Sequence, residues 1–466
     1  MPPYNELVEE NAELRRRIAE QDRLIAEQNR RLEKLEKLIE QLRRGSKRQA
    51  APFSKGAPKS DPKPPGRKAA EHYGQRAFRR CPEQVDERVE VDCPLYCQAC
   101  EGRVRLAGKV SQFQIDLPEI HPQTTEFVLH WGECTRCGRR AVGRHPRQIS
   151  QAIGAAGVQI GPGVLSLAAY LNKAGGMSYG KISTLLEQMS GFRVARSSLC
   201  RALLRTGSKA QPIYDEMVKI IRTSPVVYPD ESGWRIGGVH AWLWAFTNGR
   251  ETVYSIQRGR GFAEAASVLG RDYAGVLVAD GWAPYRRFKE ATHQTCLAHL
   301  LRRCREMLET AKGGAVRFPR QVQEILRAAL AVRDRREATT ISSQGIRIAK
   351  GRLAARMNRL LSGHITHAGN LRLAKHLRRY QNALFLFLER ADVEATNWPA
   401  EHAIRPAVVN RKSCGGNRTL RGATAQAILT SLLRTCQQHD LNSIAALTTI
   451  LRSPLPTSYK DLLQAH

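Results

Sequence analysis

From residue 224 onwards the sequence alternates between strand-like and helix-like segments, and their order constrains the fold more than any other feature. Short apolar runs bounded by turn residues predict strands, and longer amphipathic runs predict helices. The predicted elements are, in order, strands at 226–228, 240–247 and 251–256, a helix at 262–269, a strand at 275–280, a second helix, a strand at 293–295 and a basic helix from Leu297. Asn248-Gly249, between the second and third strands, is typical of a tight hairpin turn. This order is that of the ribonuclease-H-like α/β fold.

Two aspartates lie at the ends of these predicted strands. Asp230 follows the first strand, and Asp280 comes just after the fourth. An acid at such a position is a catalytic candidate, but an Asp at a strand end also commonly caps a helix or a turn. From the residues alone, both interpretations stay open.

Two pairs of cysteines indicate a metal site. Cys97-Gln-Ala-Cys100 and Cys134-Thr-Arg-Cys137 are separated by strand-like runs at 113–117 and 125–130. Two thiolate pairs joined by a hairpin form a tetrahedral Zn²⁺ site, and four thiolates leave no open position, so we expect a structural zinc ribbon at 80–150. Cys93 is an alternative ligand, but we expect Cys93 and Cys81 to be spare thiols. The chain starts without the pattern of a secretory signal, so we expect its eleven cysteines to lie in a reducing compartment.

Residues 1–45 carry a heptad repeat. The a and d positions are Leu7, Asn11, Leu14, Ile18, Gln21, Ile25, Gln28, Leu32, Leu35, Ile39 and Leu42. Ile at a with Leu at d favours a two-stranded coiled coil, so we expect the chain to self-associate. The alternative is one solvated helix, or one packed on its own chain. Residues 46–79 are rich in proline and lysine and predict a basic, disordered linker, which either contacts DNA phosphates or acts as a spacer.

The charge of the chain indicates a polyanionic partner. There are 74 Lys and Arg against 43 Asp and Glu, a formal net charge of +31. Such a surplus favours nucleic acid, and no apolar run approaches the length of a membrane span. Residues 151–222 predict helices with a helix-turn-helix-like arrangement, although a helical connector fits as well. Residues 296–380 hold 19 Lys and Arg against five acids and predict an inserted helical segment, at about 305–390, that clamps DNA by its backbone.

The chain resembles the insertion-sequence-66 type transposases, members of the DDE transposase class. The similarity runs through nearly the whole chain. Besides the coiled coil and the cysteine pairs, it rests on Pro64-Pro-Gly-Arg-Lys68, Asp280-Gly-Trp-Ala-Pro-Tyr285, Cys296-Leu-Ala-His299, Asn397-Trp-Pro-Ala-Glu401-His-Ala-Ile-Arg405-Pro and Arg411-Lys412. It implies a multidomain α+β protein in which residues 223–466 form the catalytic domain.

The resemblance also implies that Asp230, Asp280 and Glu401 form an acidic triad. Phosphodiester cleavage and strand joining are served by two Mg²⁺ or Mn²⁺ ions, and these ions prefer carboxylate oxygens. Asp230 is then the bridging ligand, while Glu231, Asp272 and Glu394 are the rival acids. The resemblance places His299 near the acids, where it could orient water or hold the phosphate. The residues expected to contact DNA are Arg302, Arg303, Arg405, Arg411 and Lys412, for which a solvated basic face is the alternative.

These features predict a DNA transposase that cleaves and transfers strands at the ends of its insertion sequence. We expect it to be a homodimer or higher oligomer without a membrane partner, in the cytoplasm of a prokaryote and associated with the nucleoid. Trp398 and His402 stand where members of the family usually have Asn and Arg. A non-catalytic DNA-binding protein derived from a transposase is therefore the alternative.

Overall fold

The computed structural model describes residues 12–15, 17–29, 31–32, 35 and 80–464. The predicted linker at 46–79 and the heptad positions Leu7, Asn11, Ile39 and Leu42 lie outside these residues. The described residues between 12 and 35 are helical and are called α1. Their apolar heptad side chains Leu14, Ile18, Ile25, Leu32 and Leu35 are 50–57% exposed. The stripe therefore remains available to a partner.

The segment from residue 80 to residue 150 has little regular structure. It contains one antiparallel pair, β1 (Trp131–Glu133) and β2 (Arg140–Val142), which encloses the second cysteine pair. The strands expected at 113–117 and 125–130 are wrong, because both ranges are irregular. The large side chains there, such as Ile115 and Leu117, are more than 70% exposed. A strand needs a paired edge and a covered face, and nothing in the described chain supplies either to these runs.

Within the described range 151–223, four α-helices precede the main sheet. They are α2 (Pro162–Lys173), α3 (Tyr179–Ser190), α4 (Arg196–Lys209) and α5 (Gln211–Thr223). Local sequence explains the ends of α3: the Ser178 side chain accepts a hydrogen bond from the backbone N–H of Lys181, and Gly191 ends the helix with a φ of 70°. Gly191 therefore starts the turn that leads from α3 to α4.

The main sheet has strands at all five predicted positions. They are β3 (Val226–Ile236), β4 (Val239–Thr247), β5 (Thr252–Gln257), β6 (Val276–Ala279) and β7 (Thr292–Thr295). Their order is β5-β4-β3-β6-β7, with β3, β4 and β5 antiparallel and β6 and β7 parallel to β3. Helix α6 (Phe262–Leu269) connects β5 to β6, and a short 3-10 helix (Ala283–Arg287) lies between β6 and β7.

The rest of the chain is helical. The helices are α7 (Leu297–Thr310), α8 (Arg317–Glu337), α9 (Ser343–Ser362), α10 (Ala368–Arg379), α11 (Leu386–Glu389), α12 (Trp398–Cys414), α13 (Leu420–Gln438), α14 (Ser443–Arg452) and α15 (Tyr459–Gln464). The chain is thus a mixed α+β protein. Among the described residues, no helix is both long and apolar enough to cross a bilayer.

Three groups of buried side chains hold these elements together. The first joins α2–α6 to β4, β5, α13 and α14. The second joins β3 and β6 to α7–α11, and the third packs α12 and α13 on β3–β5. Residues 151–222 therefore share a continuous core with the sheet, and the boundary expected at residue 222 stays a prediction.

Candidate functional site

The register of two neighbouring strands brings Asp230 and Asp280 to the same level. Val227 of β3 pairs with Leu277 of β6 in a parallel ladder, and each aspartate lies three residues further along. Neighbouring strands are about 4.8 Å apart, so the backbones of Asp230 and Asp280 lie side by side. Asp280 Oδ1 then accepts a hydrogen bond from the backbone N–H of Trp282 (2.9 Å), which turns the chain sharply after the strand.

Glu401 comes from the first turn of α12, which packs on β3 and β4. Asn397 is the residue before this helix and is 2% exposed. Its side-chain amide donates to the carbonyl of Pro229 (2.8 Å), and its own carbonyl accepts from the backbone N–H of Glu401 (3.1 Å). Asn397 therefore ties the start of α12 to the residue preceding Asp230.

His299 joins this group from the first turn of α7. Its Nε2 atom lies 3.7 Å from Oε1 of Glu401. The Cys296 side chain raises the pKa of His299 above its ordinary value, and the carboxylates of Asp280 and Glu401 raise it further, against the effect of burial. Cys296 is fully buried, and its sulfur accepts a hydrogen bond from the backbone N–H of Asn397 (3.1 Å). The cysteine thus anchors α7 to α12 and keeps His299 beside Glu401.

Asp230 lies at the negative centre of the site. Burial and the neighbouring carboxylates of Glu231, Asp280 and Glu401 raise its pKa to about 7, although a hydrogen bond from the backbone N–H of Glu231 opposes the shift. The three acids of the expected triad therefore act on one another. They come from positions up to 171 residues apart in the chain.

Glu231 has different partners. Its Oε1 atom accepts two hydrogen bonds from Arg260 (2.7 and 3.0 Å), and its Oε2 atom accepts one from the Tyr285 hydroxyl (2.7 Å). The Arg260 guanidinium lies between the rings of Trp242 (4.5 Å) and Trp282 (4.0 Å). Successive strand residues point to opposite faces, so Glu231 turns away from the Asp230 side. A carboxylate with these partners is less available to a metal than Asp230.

The end of helix α10 also holds the loop after β6 in place. The Tyr380 hydroxyl, at the end of α10, donates to the carbonyl of Gly281 (2.7 Å). Gly281 has a φ of 91°, and a Cβ atom there would approach the His376 ring to 2.8 Å. Only glycine fits this position. The insertion thus contacts the residue next to Asp280.

The expected DNA contacts are distributed over two helices. Arg405 and Lys412 are exposed on α12, and Arg302 is exposed on α7, where Arg303 is partly buried. Arg411 points back to the sheet and donates to the Ser232 hydroxyl (3.2 Å), two residues beyond Asp230. Burial lowers the pKa of Arg411. Arg411 is therefore a cation on the same face of β3 as Asp230.

Sequence reasoning missed several residues that support the site. Arg260, Tyr285 and Tyr380 had no assigned role, and Asn397 was noted only as part of a motif. Tyr285 and Asn397 lie inside the two quoted segments that contain Asp280 and Glu401, and this proximity was the available signal. Nothing in the sequence indicated Arg260 or Tyr380, because their contacts depend on the folded chain.

The donor set suits a divalent cation. Asp230, Asp280 and Glu401 offer carboxylate oxygens, the ligands that Mg²⁺ and Mn²⁺ prefer. The raised pKa of Asp230 shows negative charge that a cation would compensate. Across residues 12–35 and 80–464, as far as they are described, no three His, Cys, Asp or Glu side chains lie close enough together to form a metal site. The acids are neighbours in the fold, and binding a cation would require their side chains to move closer together.

The two cysteine pairs have the same local backbone structure. The N–H of Cys97 bonds the carbonyl of Gly102, as the N–H of Cys134 bonds that of Arg139. The carbonyl of each first cysteine accepts from the residue four positions on. Backbone N–H groups donate to the sulfur of each first cysteine and lower its pKa. Each pair is thus shaped to present thiolates, but among the described residues the two pairs do not form one group of metal ligands.

A known protein family matches the part of the chain that contains these site residues. The model of a family described as "Transposase IS66 family" matches residues 157–425, more than half of the chain. The matched range begins after the cysteine pairs and contains Asp230, Asp280, His299 and Glu401. No curated protein matches the chain.

Proposed function

The chain belongs to the Transposase IS66 family, and from this premise we propose that it is a DNA transposase that cleaves and joins strands at the ends of its own insertion sequence. The observation that carries the proposal is the proximity of Asp230, Asp280 and Glu401 beside His299, where β6 ends next to β3. Family membership alone supports a transposase-related role. The acidic site supports catalysis.

We infer that the catalytic core is ribonuclease-H-like. Three antiparallel strands are followed by a helix and two strands parallel to the first, in the order β5-β4-β3-β6-β7. Asp230 lies on the central strand and Asp280 follows its parallel neighbour. This arrangement supports the fold expected from the order of elements.

Asp230, Asp280 and Glu401 would hold the divalent cations, with Asp230 shared between them. When bound, such ions activate the attacking oxygen and compensate the charge that develops on the phosphate. His299 lies beside Glu401 and, with a raised pKa, carries a proton and a positive charge more readily than an ordinary histidine. It is suited to donate a hydrogen bond to a phosphate oxygen. Arg411 adds a fixed cation on the same face of the sheet.

Asn397 and Cys296 act on the geometry rather than on the DNA. Both are buried, and together they connect β3, α7 and α12 at the three segments that carry Asp230, His299 and Glu401. The exposed side chains of Arg302, Arg405 and Lys412 are suited to phosphate contacts, which position DNA without reading its sequence.

We also propose a structural zinc ion and self-association for the part of the chain before residue 151. The matching backbone of the Cys97–Cys100 and Cys134–Cys137 turns supports a thiolate site, and the exposed apolar stripe of α1 supports a coiled coil. Zinc bound by all four cysteines would bring the two turns together, since the ion offsets the repulsion between thiolates. The protein would act in the cytoplasm of a prokaryote, at the nucleoid.

A strand-cleavage assay tests the proposal. The full chain is incubated with duplex DNA that carries the ends of its own element, in Mg²⁺ or Mn²⁺. We expect wild type to cleave and to join the freed 3′ end, and Asp280→Asn to bind DNA normally while cleaving at least about 100-fold more slowly. Asp272→Asn is the matched control, because Asp272 is an exposed acid eight residues earlier.

Two results would contradict the proposal. Cleavage by Asp280→Asn at the wild-type rate would remove the acidic site from the mechanism. Tight binding without cleavage by wild type, in the presence of a cell extract that supplies accessory factors, would favour the non-catalytic DNA-binding alternative.

A further inference from the structure

A cavity of about 760 Å³ lies within the helical insertion, away from the acidic triad. It is formed by the start of α8, the end of α9 and the start of α10. Its size falls in the range of small-molecule sites, about 300–1,000 Å³. It can therefore hold a ligand the size of a nucleotide.

Basic side chains line the cavity. Arg317, Arg356, Arg359, His364 and His367 all border it, and none of the lining residues, all of them in the described part of the chain, is acidic. Arg356 pairs with Glu324 (2.9 Å), outside the cavity. Arg317 and Arg359 are exposed, and no carboxylate among the described residues lies within 4 Å of either. This lining favours an anionic ligand, and a guanidinium suits phosphate oxygens in particular.

One residue of the lining carries a buried polar atom without a partner. Asn370 lines the cavity and is 4% exposed. Its Nδ2 atom donates to the carbonyl of Ala315 (2.9 Å), whereas its Oδ1 atom is buried and has no hydrogen-bond partner among the described residues. A buried acceptor without a donor is costly, so a ligand with an N–H group is favoured at this point. The exocyclic amino group of a nucleobase is such a donor.

An apolar wall completes the cavity. Phe318, Ile325, Leu360 and Ile365 line it together with Asn370. A planar base buries its faces against such side chains and presents its polar edge to the amide. Phosphate, base edge and base face thus each have a matching surface.

The cavity is connected to the acidic site by a single helix. Asn370 lies in the first turn of α10, and Tyr380, ten residues on, bonds Gly281 next to Asp280. Ten helical residues span about 15 Å, which equals about four steps along one strand of duplex DNA. A strand held at Asp280 could therefore place a nearby nucleotide in the cavity.

We propose that this cavity binds one nucleotide of the DNA strand held at the acidic site, with its phosphate at Arg317 and Arg359 and its base against Phe318 and Asn370. The inference rests on the proposed function, because that function supplies the strand. Enzymes that act on DNA can extrude a base into a pocket, and this cavity receives one a few positions from the reacting phosphate.

Calorimetric titration of the full chain tests the proposal. The probes are single-stranded dA6, a hexamer of abasic sites with the same charge, and dAMP. We expect dA6 to bind about 10-fold more tightly than the abasic hexamer, since each base gains by stacking. Arg359→Gln should weaken dA6 binding about 10-fold. Arg352→Gln, on the same helix but outside the cavity, should change it less than about 2-fold.

Asn370→Leu should abolish the preference for dA6 over the abasic hexamer. If this variant fails to fold, the comparison of Arg359→Gln with Arg352→Gln still tests the proposal.

Equal binding of dA6 and the abasic hexamer by wild type would overturn the proposal, because only phosphates would then be recognised. Equal losses in Arg352→Gln and Arg359→Gln would overturn it too, by indicating a diffuse basic surface. Binding of dAMP as tight as that of dA6 would indicate a free-nucleotide site and overturn the assignment to a strand. This titration measures binding and not cleavage, so a failure of this site and a failure of strand cleavage are distinguishable.

Discussion

Asp230 is a residue whose neighbours make its ionisation unfavourable. Glu231, Asp280 and Glu401 all contribute negative charge around it, and burial reduces the solvent's ability to compensate. The folded protein therefore holds a proton on Asp230 between about pH 4 and pH 7, where an unfolded chain releases it. Stability consequently falls as the pH rises through this window.

We expect Asp230→Asn to be more stable than wild type at pH 8 in EDTA, by on the order of 2 kcal/mol. Asparagine cannot ionise, so it avoids the unfavourable charge, and the difference should vanish towards pH 4. Urea denaturation of both proteins at several pH values measures it. Excess Mg²⁺ should shrink the difference at pH 8, because a cation compensates the wild-type charge. A wild type that is the more stable protein at pH 8 in EDTA would contradict the high pKa of Asp230.

At this scale the sequence located the acids but could not rank them. Asp230 and Asp280 follow predicted strands, whereas Glu401 was identified through the resemblance alone. Glu231 was a rival of Asp230 because the two are adjacent. The structure separates them, since Arg260 and Tyr285 occupy the Glu231 carboxylate. Those partners lie 29 and 54 residues away, so no local pattern reveals them.

Secondary structure followed sequence closely where elements bury a face. The helix at Phe262–Leu269 and the strands β4 to β7 lie at or within two residues of their expected ends. β3 is much longer than expected and continues to Ile236, because its pairing with β4 extends across Asp230 and Gly233. The failure at 113–117 and 125–130 has the opposite cause. Alternating apolar residues there meet no partner strand.

The apolar heptad side chains of α1 lie along one face of the helix. Its heptad side chains are about half exposed, so a second copy of the helix would cover them. If α1 self-associates as proposed, we expect Ile25→Asp to dissociate the dimer, because it places a charge in the apolar seam. Ala26→Asp, one residue further on and rotated by about 100° away from the apolar seam, should leave the proposed dimer intact. Sedimentation velocity of the full chain distinguishes the species. Equal behaviour of the two variants would rule out a seam at this face.

A buried polar cluster attaches helix α15 to the rest of the fold. Tyr459, at the start of α15, is 8% exposed, and its hydroxyl donates to Oε1 of Glu251 (2.8 Å), which His439 also contacts (3.2 Å). This buried cluster joins α15, α13 and the turn between β4 and β5. It connects residues more than 200 positions apart.

We expect Tyr459→Phe to lower the free energy of unfolding by about 1–3 kcal/mol, because a buried carboxylate loses a donor. Tyr96→Phe is the matched control. Tyr96 is 55% exposed, so removing its hydroxyl leaves no buried group without a partner. We expect the free energy of unfolding to change by less than about 0.5 kcal/mol. Chemical denaturation of both variants gives the comparison. Equal losses in the two proteins would show that the cluster does not stabilise the fold.

The sequence by itself determined the elements, the two candidate aspartates, the cysteine pairs and the family, because these depend on local periodicity, turn residues and short motifs. The tertiary structure decided which side chains meet. It joined residues 151–222 to the core of the sheet, turned Glu231 towards Arg260, and used Asn397 to connect α12 to β3. It left the two cysteine pairs apart. Contacts of this kind are set by strand register and helix packing, which are properties of the assembled chain and are not encoded by any one segment.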